Sequence, residues 1–125
     1  MIAVVQRVLE ASVEADGEVV GRIGHGLVVL AAVHATDTAA DVAWTAAKLA
    51  GLRVFRSGDK HYDLDVTAAG GSVLLVSNFT VAAETRQGRR PSLDSAAKPD
   101  AAKPLFEALV RAVRDHGVPV ASAVV

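Results

Sequence analysis

The segment that most constrains the fold is an apolar strand that ends in polar side chains. Val73 to Val76 reads Val-Leu-Leu-Val, a run that predicts a core strand. The hydroxyl of Ser77, the amide of Asn78 and the hydroxyl of Thr80 follow directly. A buried polar group without a hydrogen-bond partner costs about 1–3 kcal/mol. Either the fold satisfies these three groups, as at an ordinary strand end, or they line a pocket in which a ligand does.

The composition predicts one domain without a dominant surface charge. A chain of 125 residues buries about two-thirds of its unfolded surface, so a single domain over residues 1–125 is expected. There are 13 Lys and Arg against 14 Asp and Glu, so an anionic partner must meet a local basic patch. The absence of cysteine excludes disulfides and a thiolate nucleophile. No apolar run is long enough for a membrane span or a signal peptide, which predicts a cytoplasmic protein with no membrane partner.

Strands and helices alternate along the chain, which predicts an α/β domain. The first half of the chain is predicted to contain a hairpin of 2–15 and 18–23 that turns at Asp16-Gly17, a central strand at Leu27–Val33, and a helix from Asp37 to Leu52 capped by Thr36 or Asp37. A short strand at Arg53–Phe55, a turn at 57–60 and the strand that ends at Val76 follow. The last part is predicted to contain a loop from Ala82 to Pro99, a helix from about Asp100 to His116 and a terminal strand from Val120 to Val125. The terminal strand must pair with its own sheet or with a neighbouring chain, so a homodimer is a reasonable expectation.

Several segments, in order and with consistent spacing, resemble one known family. They are Ala3-Val4-Val5-Gln6-Arg7-Val8, Gly24-His25-Gly26-Leu27-Val28-Val29-Leu30, Lys48-Leu49-Ala50-Gly51-Leu52-Arg53-Val54-Phe55, Ser77-Asn78-Phe79-Thr80 and Gly88-Arg89-Arg90-Pro91-Ser92. The chain resembles D-aminoacyl-tRNA deacylases of the D-tyrosyl-tRNA deacylase type essentially from Met1 to Val120. In that family the polar cluster is usually Ser-Gln-x-Thr, so Asn78 stands where a glutamine is usual.

The resemblance implies a single domain with mixed β-sheets and two main helices in a layered α/β/β arrangement. It also implies a homodimer that hydrolyses the ester between a D-amino acid, or glycine, and the 3′-terminal adenosine of tRNA, without a metal or an organic cofactor. The catalytic residues that it implies are Ser77, Asn78, Phe79 and Thr80. The substrate-binding residues that it implies are Gln6, Arg7, Arg86, Arg89, Arg90 and Pro91.

The chemistry that the resemblance implies depends on the main chain around Phe79 and Thr80. Its N–H groups would polarise the ester carbonyl, while water assisted by the RNA 2′-hydroxyl attacks. Direct attack by the Thr80 hydroxyl is the alternative. It requires a neighbouring base, and no histidine or carboxylate stands beside Thr80 in the sequence.

One motif of the family is missing from these 125 residues. The family carries an Asn-x-Gly-Pro-x-Thr turn with a cis Gly-Pro bond, which Arg7 braces and which enters the partner's site to exclude L side chains. The sequence contains no Gly-Pro dipeptide. We therefore expect either hydrolysis with poor discrimination against L-amino acids, or an impaired relic that binds a tRNA 3′ end as a dimer. A small-molecule esterase that uses Thr80 or Ser77 is a third hypothesis.

The remaining polar groups have simpler interpretations beside functional ones. Arg86, Arg89 and Arg90 could bind phosphates bidentately, or could be ordinary surface arginines on a solvated loop. The four histidines show no metal-ligand spacing, so no metal site is predicted.

Overall fold

Eight strands and two α-helices make up residues 1–124, the part of the chain that the computed structural model describes. The strands are β1 (Ile2–Val8), β2 (Ala11–Ala15), β3 (Glu18–Ile23), β4 (Gly26–Ala32), β5 (Phe55–Ser57), β6 (Lys60–Leu64), β7 (Ser72–Ser77) and β8 (Val120–Val124). The helices are α1 (Ala39–Gly51) and α2 (Pro99–Asp115), and a 3₁₀ helix covers Phe79–Ala82.

The central sheet has the strand order β1-β4-β7-β8. β1 is antiparallel to β4, whereas β4, β7 and β8 run parallel to one another. The apolar runs of β4 and β7 occupy the middle positions, where parallel strands are covered on both faces. Gly26 allows them to approach closely, because a Cβ at that position would lie 1.8 Å from the Ser72 carbonyl oxygen.

Two layers cover the central sheet. On one face, Leu27 and Leu75 are fully buried in a core that also contains Leu49 of α1 and Leu109 of α2. On the other face, the β2–β3 hairpin packs its Ile23 against Leu74 and Val76 of β7 and their neighbours. This confirms the expected layered α/β/β arrangement with mixed sheets and two main helices.

The first strand was predicted wrongly. The turn at Asp16-Gly17 does join the β2–β3 hairpin, but residues 2–8 belong to the central sheet rather than to that hairpin. The chain crosses from one layer to the other at Leu9 and Glu10, so that two successive strands pair in different layers. The alternating pattern of residues 2–15 does not reveal this crossing, because it continues through both strands.

The cap of α1 also differs from the prediction of Thr36 or Asp37. Thr38 is the N-cap, and the carboxylate of Asp41 accepts hydrogen bonds from the Thr38 backbone N–H (2.8 Å) and hydroxyl (3.3 Å). Asp37 does not cap the helix, because its carboxylate accepts from the backbone N–H of His34 instead.

The predicted positions of the other elements shift by a few residues. The strand predicted at Arg53–Phe55 begins at Phe55, and it pairs with β6 across the predicted turn. The loop predicted at 82–99 contains no helix or strand from Ala83 to Lys98, but its first residue ends a 3₁₀ helix that the sequence did not predict, and its last residue begins α2. β8 pairs with β7 and is the last strand of the sheet; Val125 lies outside the described residues. Neither helix is long and apolar enough to cross a membrane.

Candidate active site

The polar cluster forms a turn at the end of β7. The backbone N–H of Asn78 donates to the carbonyl of Ala31 at 2.9 Å, which ties the turn to the end of β4. The side-chain oxygen of Asn78 then accepts from the backbone N–H (3.2 Å) and the hydroxyl (2.5 Å) of Thr80. Asn78 is therefore the N-cap of the 3₁₀ helix, and its amide holds Thr80 in place.

The Phe79 N–H is the main-chain donor that the turn leaves available. Within residues 1–124 it donates to no acceptor, whereas the Thr80 N–H is occupied by Asn78. The Phe79 ring is 55% exposed, so the turn lies at the surface rather than within the core. The sequence left two alternatives, that the fold satisfies the polar groups or that they face a ligand. Each holds in part, because Asn78 and Thr80 hydrogen bond to each other while the Phe79 N–H has no acceptor.

A groove of about 800 Å³ opens in front of this turn. Ser77 and Phe79 form one side, and the other is formed by the segment from Leu93 to Lys98 and by the first two turns of α2. Its walls are mostly apolar, but Lys98, Asp100, Lys103 and Glu107 add charge. The sequence alone did not identify this wall, because residues 93–98 show no periodicity and were treated as loop.

Main-chain hydrogen bonds hold the wall of the groove against the end of β4. The Ala35 N–H donates to the Ser95 carbonyl at 2.8 Å, and the Ala97 N–H donates to the Val33 carbonyl at 2.9 Å. The Ser95 hydroxyl also donates to the carbonyl of Ala82, the last residue of the 3₁₀ helix, at 3.3 Å. One side of the groove is therefore attached to the last residues of β4 and the other to the residues that follow β4.

The predicted basic loop is the stretch of chain that joins these two sides. Glu84 and Ser92 exchange two main-chain hydrogen bonds of 2.8 Å at its base, immediately after the 3₁₀ helix. Arg86, Arg89, Arg90 and Pro91 are all exposed in the loop. Arg86 lies 3.4 Å from Glu84 in a solvent-exposed ion pair, a type that contributes about 0–1 kcal/mol. The guanidinium groups are thus accessible to a polyanion beside the groove.

The structure does not bring Gln6 and Arg7 to the polar turn of the same chain. They pair with Val28 and Leu27 of β4, three and four positions before Ala31. At about 3.3 Å per residue, Arg7 lies roughly 13 Å along the sheet from the turn. Arg7 instead lines a second, smaller cavity together with His25, Phe55, Arg56, Leu64 and others.

No group suited to activate the Thr80 hydroxyl adjoins it in the described part of the chain. The hydroxyl hydrogen bonds to the Asn78 side-chain oxygen, an acceptor that does not take up a proton at ordinary pH. Residues 1–124 contain no group of three or more His, Cys, Asp or Glu side chains that could hold a metal ion. At the turn itself, the groups that can act on a substrate are therefore hydrogen-bond donors, among them the open Phe79 N–H.

Comparison with known proteins places the chain among deacylases. A family model described as D-Tyr-tRNA(Tyr) deacylase matches residues 4–124. A D-aminoacyl-tRNA deacylase of Chloroflexus aurantiacus is 50% identical over 124 residues, which are 99% of this chain and 78% of the relative. A protein of the same name from Geobacter sulfurreducens is 48% identical, over 99% of this chain and 82% of the relative.

Two solved structures share the fold. The c-Myc DNA Unwinding Element Binding Protein superposes with a TM-score of 0.88 at 28% identity, over 98% of this chain and 84% of that one. A probable eukaryotic D-amino acid tRNA deacylase superposes with a TM-score of 0.77 at 17% identity, over 93% and 68% of the two chains. At that identity the second likeness shows the fold alone.

Proposed function

The chain belongs to the D-Tyr-tRNA(Tyr) deacylase family, and we propose that it hydrolyses the ester bond of D-aminoacyl-tRNA, releasing the D-amino acid and tRNA. The observation that carries the proposal is the open Phe79 N–H at the edge of a groove large enough for a nucleoside and an amino acid. Glycyl-tRNA is a second substrate that the same groove would accept. This activity would remove wrongly charged tRNA before translation.

We assign the catalytic roles to the turn from Ser77 to Thr80. The Phe79 N–H donates to the carbonyl oxygen of the ester as negative charge develops on it, which is the most effective place for a preorganised donor. Asn78 holds the backbone in position through its bonds to Ala31 and Thr80. Ser77 contributes a hydroxyl to the groove wall. Water is the nucleophile, because the Thr80 hydroxyl has no base beside it.

The tRNA is bound beside this turn by cationic and main-chain groups. The loop with Arg86, Arg89, Arg90 and Pro91 leaves the 3₁₀ helix and returns to the groove wall, and these residues are exposed, so the guanidinium groups can reach phosphates of a tRNA bound at the groove. Arginine suits phosphate because its planar group donates two parallel hydrogen bonds. A chain with a formal net charge of −1 depends on such a local patch to attract RNA.

We further propose that the chain acts as a homodimer through the part of the central sheet that the β2–β3 hairpin leaves uncovered. Ile2 and Val4 of β1 are 40% and 50% exposed there, and Val4 pairs with the half-buried Leu30. Gln6 shares this face, and exposed Phe79 adjoins it through the contacts between β1 and the 3₁₀ helix. A second copy on this face would add a wall to each groove and place Gln6 near the partner's site, whereas Arg7 lies on the opposite face of β1, beside the cavity with Phe55 and Leu64.

Deacylation of charged tRNA tests the function directly. The purified protein is incubated with D-Tyr-tRNA and with L-Tyr-tRNA, and the release of tyrosine is compared with the spontaneous rate. Release from D-Tyr-tRNA well above that rate supports the proposal, and the ratio of the two substrates measures the chiral selectivity. A folded protein that releases neither amino acid, yet binds tRNA, would identify a non-catalytic member of the family.

Sedimentation tests the dimer independently. Val4→Glu places a charge in the proposed interface and should yield monomers, whereas Trp44→Glu should not. Trp44 is a matched control, because it is 66% exposed on α1, in the layer on the opposite face of the sheet. A wild-type protein that sediments as a monomer at micromolar concentration would refute this interface.

A further inference from the structure

The amino terminus forms a partly buried ion pair close to the candidate active site. The ammonium group of Met1 lies 2.6 Å from one carboxylate oxygen of Asp37, and the side chains of the two residues are 1% and 5% exposed. The second oxygen of Asp37 accepts from the backbone N–H of His34 at 2.7 Å. One carboxylate therefore connects the start of β1 to the turn that follows β4.

The end of β4 and the turn that follows it carry both sides of the groove. Ala31 accepts the hydrogen bond that holds Asn78 and the catalytic turn. Val33 and Ala35 make the two main-chain bonds that hold residues 95–97, and Ala96 and Ala97 line the groove. The distance between the Phe79 N–H and the opposite wall thus depends on how rigidly residues 31–35 are held.

We infer that Asp37 and the Met1 ammonium group are positioning residues that hold the two sides of the groove in register for catalysis. The inference rests on the proposed function of the groove, and neither group touches the substrate. A buried charge needs its partner in a fixed place, so the pair restrains both segments more strongly than a surface contact would. Small displacements of catalytic groups matter, because a shift of about 1 Å can lower a rate about 100-fold.

Three variants remove the pair in different ways. Asp37→Ala removes both hydrogen bonds of the carboxylate. Asp37→Asn keeps an oxygen that can accept from the His34 N–H but removes the charge. A Gly-Ser extension before Met1 replaces the ammonium group with a peptide N–H and leaves Asp37 intact. Asp41→Asn is the control, because it removes a nearby carboxylate in the first turn of α1 that attracts the Met1 ammonium group but makes no hydrogen bond to it.

Steady-state kinetics on D-Tyr-tRNA give the first measurement. We expect Asp37→Ala and the extension each to lower kcat about 10- to 100-fold while KM stays within about twofold, because the reacting groups are misplaced rather than lost. Asp37→Asn should recover part of kcat, and Asp41→Asn should keep it. In the Asp37→Ala variant, adding the extension should lower kcat little further, since both changes remove the same interaction.

Amide hydrogen exchange gives a second measurement that does not depend on activity. The N–H groups of Asn78 and Ala97 should exchange faster in the variants, while those of central β7 residues such as Leu75 keep their rates. Equal acceleration throughout the chain, or unchanged exchange and kcat in folded variants, would overturn the inference. If the unmodified protein does not cleave D-Tyr-tRNA, the proposed function fails, and the exchange pattern alone decides whether the pair positions the groove.

Discussion

Replacing Phe79 with proline removes the one donor on which the proposed mechanism depends. Proline has no N–H, and its ring fixes φ near −65°, which suits the first position of a 3₁₀ helix. Phe79 holds that position, and the preceding Asn78 has φ −146° and ψ 96°, in the extended region that a residue before proline prefers. Because the Phe79 N–H has no partner within residues 1–124, its removal breaks no hydrogen bond there.

The expected loss follows from the role of a single oxyanion donor. Removing one such donor costs about 2.7–4 kcal/mol of transition-state stabilisation, or about 10²–10³ in kcat. The Thr80 N–H cannot compensate easily, because it already donates to the Asn78 side chain at 3.2 Å. Phe79→Pro should therefore lower kcat by about 100-fold or more, with little change in the free energy of unfolding.

The assay is deacylation of D-Tyr-tRNA under saturating conditions, with thermal unfolding measured in parallel. Phe79→Ala is the matched control, since it removes the exposed ring but keeps the N–H. It should lose at most a modest part of kcat. Thr80→Ala also keeps its N–H and should retain substantial activity. The reasoning is refuted if Phe79→Pro stays as active as Phe79→Ala, or if Thr80→Ala alone abolishes turnover in a folded protein.

Three further predictions concern stability and RNA binding. Hydrogen bonds from the Thr38 backbone lower the pKa of Asp41, so its stabilising effect exists above the unfolded pKa of about 3.9 and disappears as pH falls through the folded value. Asp41→Asn should therefore lower the Tm more at pH 7 than at pH 2. Gly26→Ala should cost about 3 kcal/mol in chemical denaturation, because its Cβ would overlap a backbone carbonyl at 1.8 Å. Replacing both Arg89 and Arg90 with alanine should weaken tRNA binding and reduce the slope of log K against log salt by about 0.7 for each phosphate that the variant no longer neutralises. The first prediction is contradicted if Asp41→Asn changes the Tm equally at the two pH values. The second is contradicted if Gly26→Ala unfolds at the midpoint of the wild type, and the third if the double arginine variant keeps the salt slope.

The central fold could be predicted from the sequence because its signals are local. Uninterrupted apolar runs mark β4 and β7, Asp16-Gly17 marks the hairpin, and apolar spacing marks both helices. The pairing of residues 2–8 could not be predicted in this way. A strand's partner is decided by which apolar face it covers, and the pattern of β1 would suit either the hairpin or the central sheet.

The position of the site was easier to predict than its walls. Ser77, Asn78 and Thr80 stand out because polar groups follow a buried strand, and the structure places a groove beside Ser77 and Phe79. Which N–H remains open depends on the side-chain conformation of Asn78, which no sequence pattern specifies. The segment from Leu93 to Lys98 becomes a wall through long-range main-chain bonds, which leave no periodic signal.

The topology explains why an irregular segment must build the groove. In open α/β sheets, ligand crevices form beyond the carboxyl ends of strands where the strand order reverses direction. Here the chain proceeds from β4 to β7 to β8 without such a reversal, and α1 and α2 pack on the same face. The sheet therefore offers no crevice of its own at the ends of β4 and β7. The 3₁₀ helix and the connection from Ala83 to Lys98 create one by folding back against residues 33–35, so the geometry of the catalytic donor depends on those few long-range bonds.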